Sequence, residues 1–214
     1  MNIVDTSIEG VFIIEPTIHE DDRGYFLETY RKDKLSNLGL NFDFAQDNQS
    51  CSKYAGTIRG LHYQENPKPM TKLVRVISGA IYDVAVDIRK GSPTFGKFVS
   101  AHLDCNSQKQ LLIPRGFAHG FCTLEDETIV SYKVDNYYDS SYDRAIRWND
   151  PEIGVDWPPV LYPALEYFVS EKDLNAPFLK DCKNSLLDIS QSPYSIPNSF
   201  VHLHLSISRV FNPL

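Results

Sequence analysis

The chain has 214 residues, of which 42% are hydrophobic and 23% are charged, and its formal net charge is -7. This length suits one domain with a sizeable core, and the negative charge argues against a nucleic-acid surface, which would be basic. An anionic ligand remains possible, since a few converging arginines can reverse the local field.

No apolar run approaches the roughly 18 residues of a membrane span, and the N-terminal residues lack the basic start and apolar core of a signal peptide. The four cysteines lie far apart and form no C-x-x-C pair: Cys51, Cys105, Cys122 and Cys182. Reduced thiols are therefore favoured over a zinc site or a disulfide framework. These features predict a cytoplasmic protein without a membrane or nucleic-acid partner.

Strands dominate the predicted elements. One early helix is predicted over 31–38, ended by Gly39. Val- and Ile-rich runs bounded by Gly, Pro, Asn or Asp then predict strands at 72–77, 80–88, 97–103, 110–113, 119–124 and 128–134. Ser78-Gly79, between the first two, is typical of a hairpin turn. Short strands at this spacing indicate an all-β sandwich or barrel.

The C-terminal third has a different character. Residues 151–163 are rich in turn formers and predict extended chain over the surface of the barrel. Residues 201–207 alternate between apolar and polar types, as a half-buried strand does. We interpret 1–184 as a single domain and 185–214 as an extension, either an edge strand that could pair with another subunit or a poorly ordered tail.

The most informative motif is Arg59-Gly60-Leu61-His62-Tyr63-Gln64, with Lys72 ten residues after the histidine. We interpret the two segments as neighbouring strands, which would place a proton acceptor beside two cations. This combination suits removal of a proton next to a carbonyl, because cations can hold the enolate oxygen that forms. Such a reaction also needs a second proton donor, a partner for the histidine and a pocket.

A series of further motifs extends this one along about residues 3 to 181: Asp22–Glu28, Gln46–Asn48, Arg59–Gln64, Lys72–Val76, Tyr82–Arg89, Ser92–Gly96, Ile113–Phe121, Tyr132–Lys133, Ile146–Trp148 and Ser170–Asp173. In this order they resemble the dTDP-4-dehydrorhamnose 3,5-epimerase family, the dTDP-sugar epimerases of the cupin superfamily. Nothing in the family pattern resembles residues 185–214.

The resemblance implies a cupin-type jelly-roll sandwich with a few short helices. It implies conversion of dTDP-4-dehydro-6-deoxy-D-glucose to dTDP-4-dehydro-L-rhamnose, within L-rhamnose supply. No cofactor is expected, because no electron leaves the substrate. A homodimer is expected, in which the N-terminal segment contributes to the partner's pocket.

The resemblance also implies the catalytic roles. His62 would be the general base, with Asp173 orienting it as in other acid–histidine pairs. Lys72 would face the C4 oxygen, and Tyr132 would deliver a proton to the opposite face as a neutral phenol. Taken singly, each residue also has an ordinary interpretation: a structural histidine, a helix-start acid after Ser170, a solvated strand lysine or a packing tyrosine.

Substrate binding is assigned by the same resemblance to Arg23, Glu28, Gln46, Asn48, Arg59, His119, Tyr138, Asp143 and Lys172. A guanidinium suits the diphosphate, amide and carboxylate groups can recognise a thymine edge, and Tyr138 could stack on the ligand. Three positions depart from the family pattern. His19 replaces a common phenylalanine, Arg115 a common glutamate, and Asp143 the usual, longer glutamate.

Three alternatives remain open. A metal-dependent cupin would need a His-x-His pair, but here the pair position is His62-Tyr63-Gln64, and Lys72 adds a cation; we therefore predict no metal. A non-catalytic module that binds sugar nucleotides could share the fold. The third is a narrower epimerase that inverts only C3 or only C5, since Tyr132 supports at least one full inversion but does not determine the number of centres.

Overall fold

The chain forms a β-sandwich, seen in a computed structural model that describes residues 1–160 and 166–182. In chain order its elements are β1 (Asn2–Asp5), β2 (Phe12–Glu15), β3 (Ile18–Asp21), β4 (Gly24–Leu27), α1 (Lys32–Asn37), β5 (Gln46–Ser52), β6 (Thr57–Gln64), β7 (Lys72–Ser78), β8 (Ala80–Asp87), β9 (Phe98–Asp104), β10 (Gln110–Ile113), β11 (Phe117–Thr123), β12 (Thr128–Val134), β13 (Asp143–Ala145), β14 (Phe168–Val169), α2 (Glu171–Leu174) and a 3₁₀ turn (Leu179–Asp181).

Two sheets face each other. The first has the strand order β1-β2-β10-β7-β12-β5, and the second has the order β13-β6-β11-β8-β9 with β14 added in parallel beside β6. Strands β3 and β4 pair only with each other and form a separate ribbon. This architecture confirms the predicted all-β jelly-roll sandwich with a few short helices.

Side chains that alternate along the strands fill the space between the sheets. Val74 and Val76 of the first sheet pack there with Ala85, Phe117 and Phe121 of the second, and all five are buried. This apolar filling occupies part of the interior. The remainder is lined by both polar and apolar side chains and forms the cavity described below.

Both outer faces of the sandwich are partly covered. Helix α1 places Leu35 against the first sheet and ends before Gly39, close to the predicted range of 31–38. The segment after β13 crosses the second sheet, where Trp157 is buried and its indole Nε1 donates to the backbone oxygen of Trp148 at 2.9 Å. Extended chain was predicted over 151–163; in the described part, 151–153 form a turn and 154–160 have no regular secondary structure, and the segment lies over the second sheet as predicted.

The predicted hairpin at Ser78-Gly79 is wrong. Strand β7 lies between β10 and β12 in the first sheet, whereas β8 lies between β11 and β9 in the second. The turn therefore carries the chain from one sheet to the other. Gly79 has a φ of 79°, a value that both a hairpin turn and a sheet corner can require of glycine, so the local signal could not distinguish them.

The interpretation of the Arg59 and Lys72 segments as neighbouring strands is also wrong. Strand β6 pairs with β11, β13 and β14, and β7 belongs to the opposite sheet. Consecutive strands are often adjacent, but in a sandwich a connection can equally cross between layers. The two cations therefore face each other across the interior instead of lying side by side.

Other strand predictions agree within a few residues, including 110–113 and 128–134, which match β10 and β12. The N-terminal strands β1 to β5 were not predicted, because β1 to β4 have only four residues each and β5 consists mainly of polar residues. The prediction of an edge strand or tail over 185–214 lies outside the described residues. Among the residues that the structure describes, no helix is long and apolar enough to cross a membrane.

Candidate active site

A cavity of about 490 Å³ opens between the two sheets. Strands of both sheets form its walls, and the β14–α2 segment closes one side. It brings together these sequence-predicted residues: Arg59, His62, Lys72, His119, Tyr132, Lys172 and Asp173.

Arg59 and His62 reach the cavity together because β6 carries a bulge. In a regular strand, residues three apart point to opposite faces. Here His62 pairs with His119 while Arg59 pairs with Phe121, so three steps along β6 oppose two along β11. Gly60 lies in this bulge with a φ of 132°, and a Cβ on it would lie 2.4 Å from the facing backbone. Only glycine fits at this position of the motif.

His62 is hydrogen-bonded to a buried carboxylate. Its Nε2 lies 2.6 Å from Oδ1 of Asp173, whose side chain is 5% exposed, whereas the imidazole is 32% exposed. A carboxylate can only accept, so Nε2 carries the shared proton and Nδ1 is the nitrogen available to take up another. The imidazole is thus held in one tautomer beside the cavity.

Asp173 owes its position to a short capped helix. Ser170 is the N-cap of α2, and its hydroxyl accepts from the backbone N–H of Asp173 at 3.2 Å. Burial alone would raise the pKa of Asp173, but its hydrogen bonds with His62, Ser170 and the backbone of Gly60 hold that pKa below its ordinary value. The residue is therefore both a helix-start acid and the ionised partner of the histidine.

Lys72 is buried on β7 at the cavity wall. Its Nζ lies 3.4 Å from the backbone oxygen of His62 and 3.4 Å from Nδ1 of His119. Burial lowers its pKa to about 8, and the negative charges of Asp83 and Asp143 oppose that shift. The amine is still mostly protonated at neutral pH and can hold negative charge on a substrate oxygen.

His119 connects Lys72 to the fully buried Asp83. Its Nε2 lies 2.7 Å from Oδ1 of Asp83. Because an ammonium group only donates, Nδ1 accepts from Lys72 and Nε2 carries the proton given to Asp83. Burial lowers the pKa of His119; Asp83 opposes this shift and the charge on Lys72 adds to it. The ring is therefore neutral and orients the ammonium group.

Tyr132 enters the same cavity from β12, in the sheet opposite to His62. Its ring centroid lies 6.0 Å from Nζ of Lys72. Burial raises the pKa of Tyr132, while the charge on Arg59 acts against this shift. The phenol consequently carries its proton at neutral pH. Two groups that can transfer protons thus face one cavity from opposite walls.

A polar network adjoins the cavity beside α2. The amide Nε2 of Gln46 donates to Oδ1 of Asn48 at 2.7 Å, and Oε1 of Gln46 accepts from the backbone N–H of Tyr138 at 3.0 Å. The hydroxyl of Tyr138 donates to Asp143 at 3.3 Å, and Lys172 pairs with the same carboxylate. All five were predicted to bind substrate; these contacts join them into one network, and of the five Lys172 lines the cavity.

Arg23 and Glu28 do not line this cavity. Arg23 lies in the turn of the β3–β4 ribbon, where its guanidinium pairs with Asp21 and its side chain is 89% exposed. Glu28 follows β4, pairs with Lys34, and lines a separate cavity of about 230 Å³ together with His19. Within one protomer, Arg23 and Glu28 therefore lie apart from His62 and its cavity.

Comparison with known proteins identifies the family. The sequence model of the dTDP-4-dehydrorhamnose 3,5-epimerase family matches residues 5–181. The curated dTDP-4-dehydrorhamnose 3,5-epimerase of Methanothermobacter thermautotrophicus is 48% identical over 172 residues, which are 80% of this chain and 91% of the relative. The chain belongs to the dTDP-4-dehydrorhamnose 3,5-epimerase family. This membership confirms the predicted family and its cupin-type fold.

Two solved structures resemble this member of the epimerase family closely. The dTDP-6-deoxy-D-glucose-3,5-epimerase of Legionella pneumophila, in complex with dTDP-4-keto-L-rhamnose, has a TM-score of 0.82 and 40% identity, covering 87% of this chain and 97% of that one. A 3'-monoepimerase of Streptomyces bikiniensis, in complex with dTDP-quinovose, has a TM-score of 0.77 and 34% identity, covering 87% and 92%. The same fold therefore carries enzymes named for two centres and for one.

The donor set of the cavity does not favour the metal-dependent alternative. At the position where metal cupins place a second histidine, the amide of Gln64 donates to the backbone oxygens of Lys68 and Tyr137. Lys72 adds a cation to the same space. In residues 1–160 and 166–182, no three His, Cys, Asp or Glu side chains are grouped so that they could hold a metal ion.

Sequence reasoning missed Asp83, the acid that orients His119. A signal was present, because Asp83 lies among apolar residues of a predicted strand, and an acid buried in such a strand needs a partner. Other wall residues, such as Ser50 and Phe168, carry no comparable signal. Arg115, which departs from the family pattern, lies outside the cavity wall and pairs with Asp135 at 3.2 Å.

Proposed function

We propose that this chain is a cofactor-independent isomerase that converts dTDP-4-dehydro-6-deoxy-D-glucose to dTDP-4-dehydro-L-rhamnose. It would invert C3 and C5 through an enolate, as a step in L-rhamnose biosynthesis. Family membership and the close relatives named for this activity support the assignment.

One geometric observation carries the chemistry. His62 and Tyr132 project into one cavity from opposite sheets, with the Lys72 ammonium group at the wall between the two histidines. Inversion of a carbon requires removal of a proton from one face and delivery of a proton to the other. A planar enolate between the two sheets would expose one face to each group.

The first half of the reaction would use the His62 side of the cavity. Nδ1 of His62 accepts the proton from C5 or C3, both of which are next to the C4 carbonyl. The electron pair of the broken C–H bond moves to the C4 oxygen, where the ammonium group of Lys72 stabilises the negative charge. Asp173 stabilises the imidazolium that forms, because it accepts the Nε2 proton at 2.6 Å.

The second half would use the Tyr132 side. The phenol gives its proton to the opposite face of the carbon, and the enolate electrons return to form the new C–H bond. His62 is then protonated and Tyr132 is deprotonated, so both must exchange protons with solvent before the next inversion. The hydrogen added to each inverted carbon therefore comes from water.

That proton balance defines the test. In deuterated water, the protein incubated with dTDP-4-dehydro-6-deoxy-D-glucose should incorporate deuterium at C3 and C5 and yield the L-rhamno product, as measured by NMR. If protein that binds dTDP exchanges neither centre, the epimerase proposal is wrong and a non-catalytic binding module is favoured.

The same experiment distinguishes the second candidate function. An epimerase that acts on one centre is favoured by the similarity to the Streptomyces bikiniensis 3'-monoepimerase. Deuterium with inversion at a single carbon would identify this activity, while deuterium and inversion at both carbons would exclude it.

We also propose a homodimer in which the β3–β4 ribbon serves the partner's cavity. Arg23 and Glu28 do not reach the cavity of their own protomer. The ribbon exposes Tyr25 and Phe26, which are 57% and 68% accessible. Strand β5, which carries Gln46 and Asn48 of the polar network, is an edge strand of its sheet, so its outer edge can pair with another element.

Subunit mixing tests this arrangement. The homodimers of Arg23→Ala and His62→Ala should each be impaired, the first in substrate binding and the second in proton removal. After mild dissociation and reassociation, a mixed dimer would contain one site with an intact histidine and an intact arginine from the other chain. Activity should therefore return to about a quarter of the wild-type value for statistical mixing of two subunit types. No recovery in verified mixed dimers would contradict a shared site.

A further inference from the structure

Arg147 lies outside the cavity wall, directly after a segment that pairs with the part of β6 carrying His62. Ala145 is in register with His62 across β13 and β6. The backbone groups of Ile146 and Leu61 then exchange two hydrogen bonds, of 2.8 and 3.1 Å. The backbone of Arg147 is thus held two residues after Ala145, the residue that pairs with His62.

The side chain of Arg147 reaches the other member of the dyad through helix α2. Its guanidinium donates from Nε to the backbone oxygen of Leu174 at 3.0 Å, and a second nitrogen donates to the same oxygen. Leu174 is the last residue of α2. Carbonyls at a helix end have no partner within the helix, and an arginine placed there satisfies them and suits the helix dipole.

Two further contacts hold Arg147 in this place. Its backbone N–H donates to the oxygen of Pro177 at 2.8 Å. The central carbon of its guanidinium lies 5.2 Å from the ring centroid of Phe178, and Lys180 approaches the same ring at 5.7 Å. Both cations contact Phe178, but only Arg147 also bonds to α2, so the chain provides a matched control.

Helix α2 is a single turn, and Asp173 lies on it one residue before Leu174. Ser170 caps its start and Arg147 caps its end. We propose that Arg147 is a positioning residue for the His62–Asp173 dyad. Its backbone continues the strand that aligns His62, and its side chain fixes the helix that carries Asp173. It acts through Asp173, and the inference rests on the proposed function.

The test compares Arg147→Ala with Lys180→Ala. In Arg147→Ala, kcat for deuterium exchange should fall by about 10- to 100-fold, because small misplacement of a catalytic group has effects of this size. KM should change less than kcat, since Arg147 itself does not line the cavity and strands of the two sheets supply most of the wall. The downfield imidazole N–H signal of the His62–Asp173 hydrogen bond should weaken or broaden in the ligand-free variant. Lys180→Ala should retain both kcat and the signal.

Two additional measurements separate positioning from folding. Arg147→Lys keeps a cation and a donor at the end of α2 and should restore most of the lost rate, as should guanidinium ion added to Arg147→Ala. The thermal unfolding midpoint of each variant shows whether it is folded. If Arg147→Ala is not, Arg147→Met replaces it in the comparison with Lys180→Ala, because methionine keeps a long side chain beside Phe178 but has no donor for the oxygen of Leu174; its dyad signal should weaken while that of Lys180→Ala should not.

Three results would overturn the proposal: an unchanged kcat in folded Arg147→Ala, an equal loss in Lys180→Ala, or a loss of kcat with an unchanged dyad signal. Failure of the proposed function is distinguishable from these results, because the wild-type protein itself would then show no deuterium exchange. The imidazole N–H signals of Arg147→Ala and Lys180→Ala could still be compared in that case.

Discussion

His62→Ala is expected to slow deuterium incorporation at both C3 and C5 by about 10²- to 10⁴-fold, the range in which general acid–base groups contribute. Nε2 of His62 donates to Asp173 at 2.6 Å, which leaves Nδ1 of the same ring to accept the substrate proton. Without the imidazole, Asp173 has no group through which it can assist removal of the substrate proton. The measurement is NMR of the nucleotide sugar in deuterated water over time.

His102→Ala provides the matched control for this variant. His102 also lies beside an acid, with Nδ1 3.5 Å from Asp104, but its side chain is 61% exposed on β9 and it does not line the cavity. The His102→Ala variant should incorporate deuterium into the nucleotide sugar at the wild-type rate. Retained binding of dTDP would show that His62→Ala is folded. Exchange at the full rate in His62→Ala would move the role of base to another residue.

Tyr132→Phe is expected to separate exchange from inversion. The phenylalanine ring keeps the shape of the cavity wall but removes the proton that the opposite face needs. Inversion should slow by about 10²- to 10⁴-fold. His62 can still remove a proton and return a solvent-derived one to the same face. Recovered substrate should therefore contain deuterium with its original configuration.

Tyr82→Phe is the control for this second variant. Tyr82 is a partly buried residue that packs against Trp157 on the outer face of the second sheet, with ring centroids 6.2 Å apart. Removing its hydroxyl should leave both inversion and exchange unchanged. Inversion at the wild-type rate in Tyr132→Phe would show that another donor, or water, protonates the opposite face.

Local patterns in the sequence predicted much of the fold. Apolar runs bounded by turn formers located β10 and β12 to the residue, and the glycine after α1 marked the end of the helix. These features depend on neighbouring residues alone, so they can be read directly. The assignment of strands to sheets could not be read in this way, as the incorrect hairpin at Ser78-Gly79 shows.

The candidate site was predicted mainly through the resemblance to the epimerase family. Asp173 lies 111 positions from His62, and no periodicity connects the two. The motif order of the family supplied that pairing as an expectation, and the structure places the two groups at hydrogen-bond distance. Asp83 was not found, because its role depends on His119, which reaches it from another strand.

The motif around Arg59 and His62 depends partly on the sequence and partly on the tertiary structure. The sequence by itself determined that a histidine, two cations and a glycine with unusual backbone freedom lie close together along the chain, because these are covalent facts. Only the tertiary structure decided that a bulge turns Arg59 and His62 to one face, and that Lys72 and Tyr132 meet them from the opposite sheet. The face of a strand and the sheet it joins depend on pairing with distant segments, and that pairing decides whether the cavity has one proton-transfer group or two.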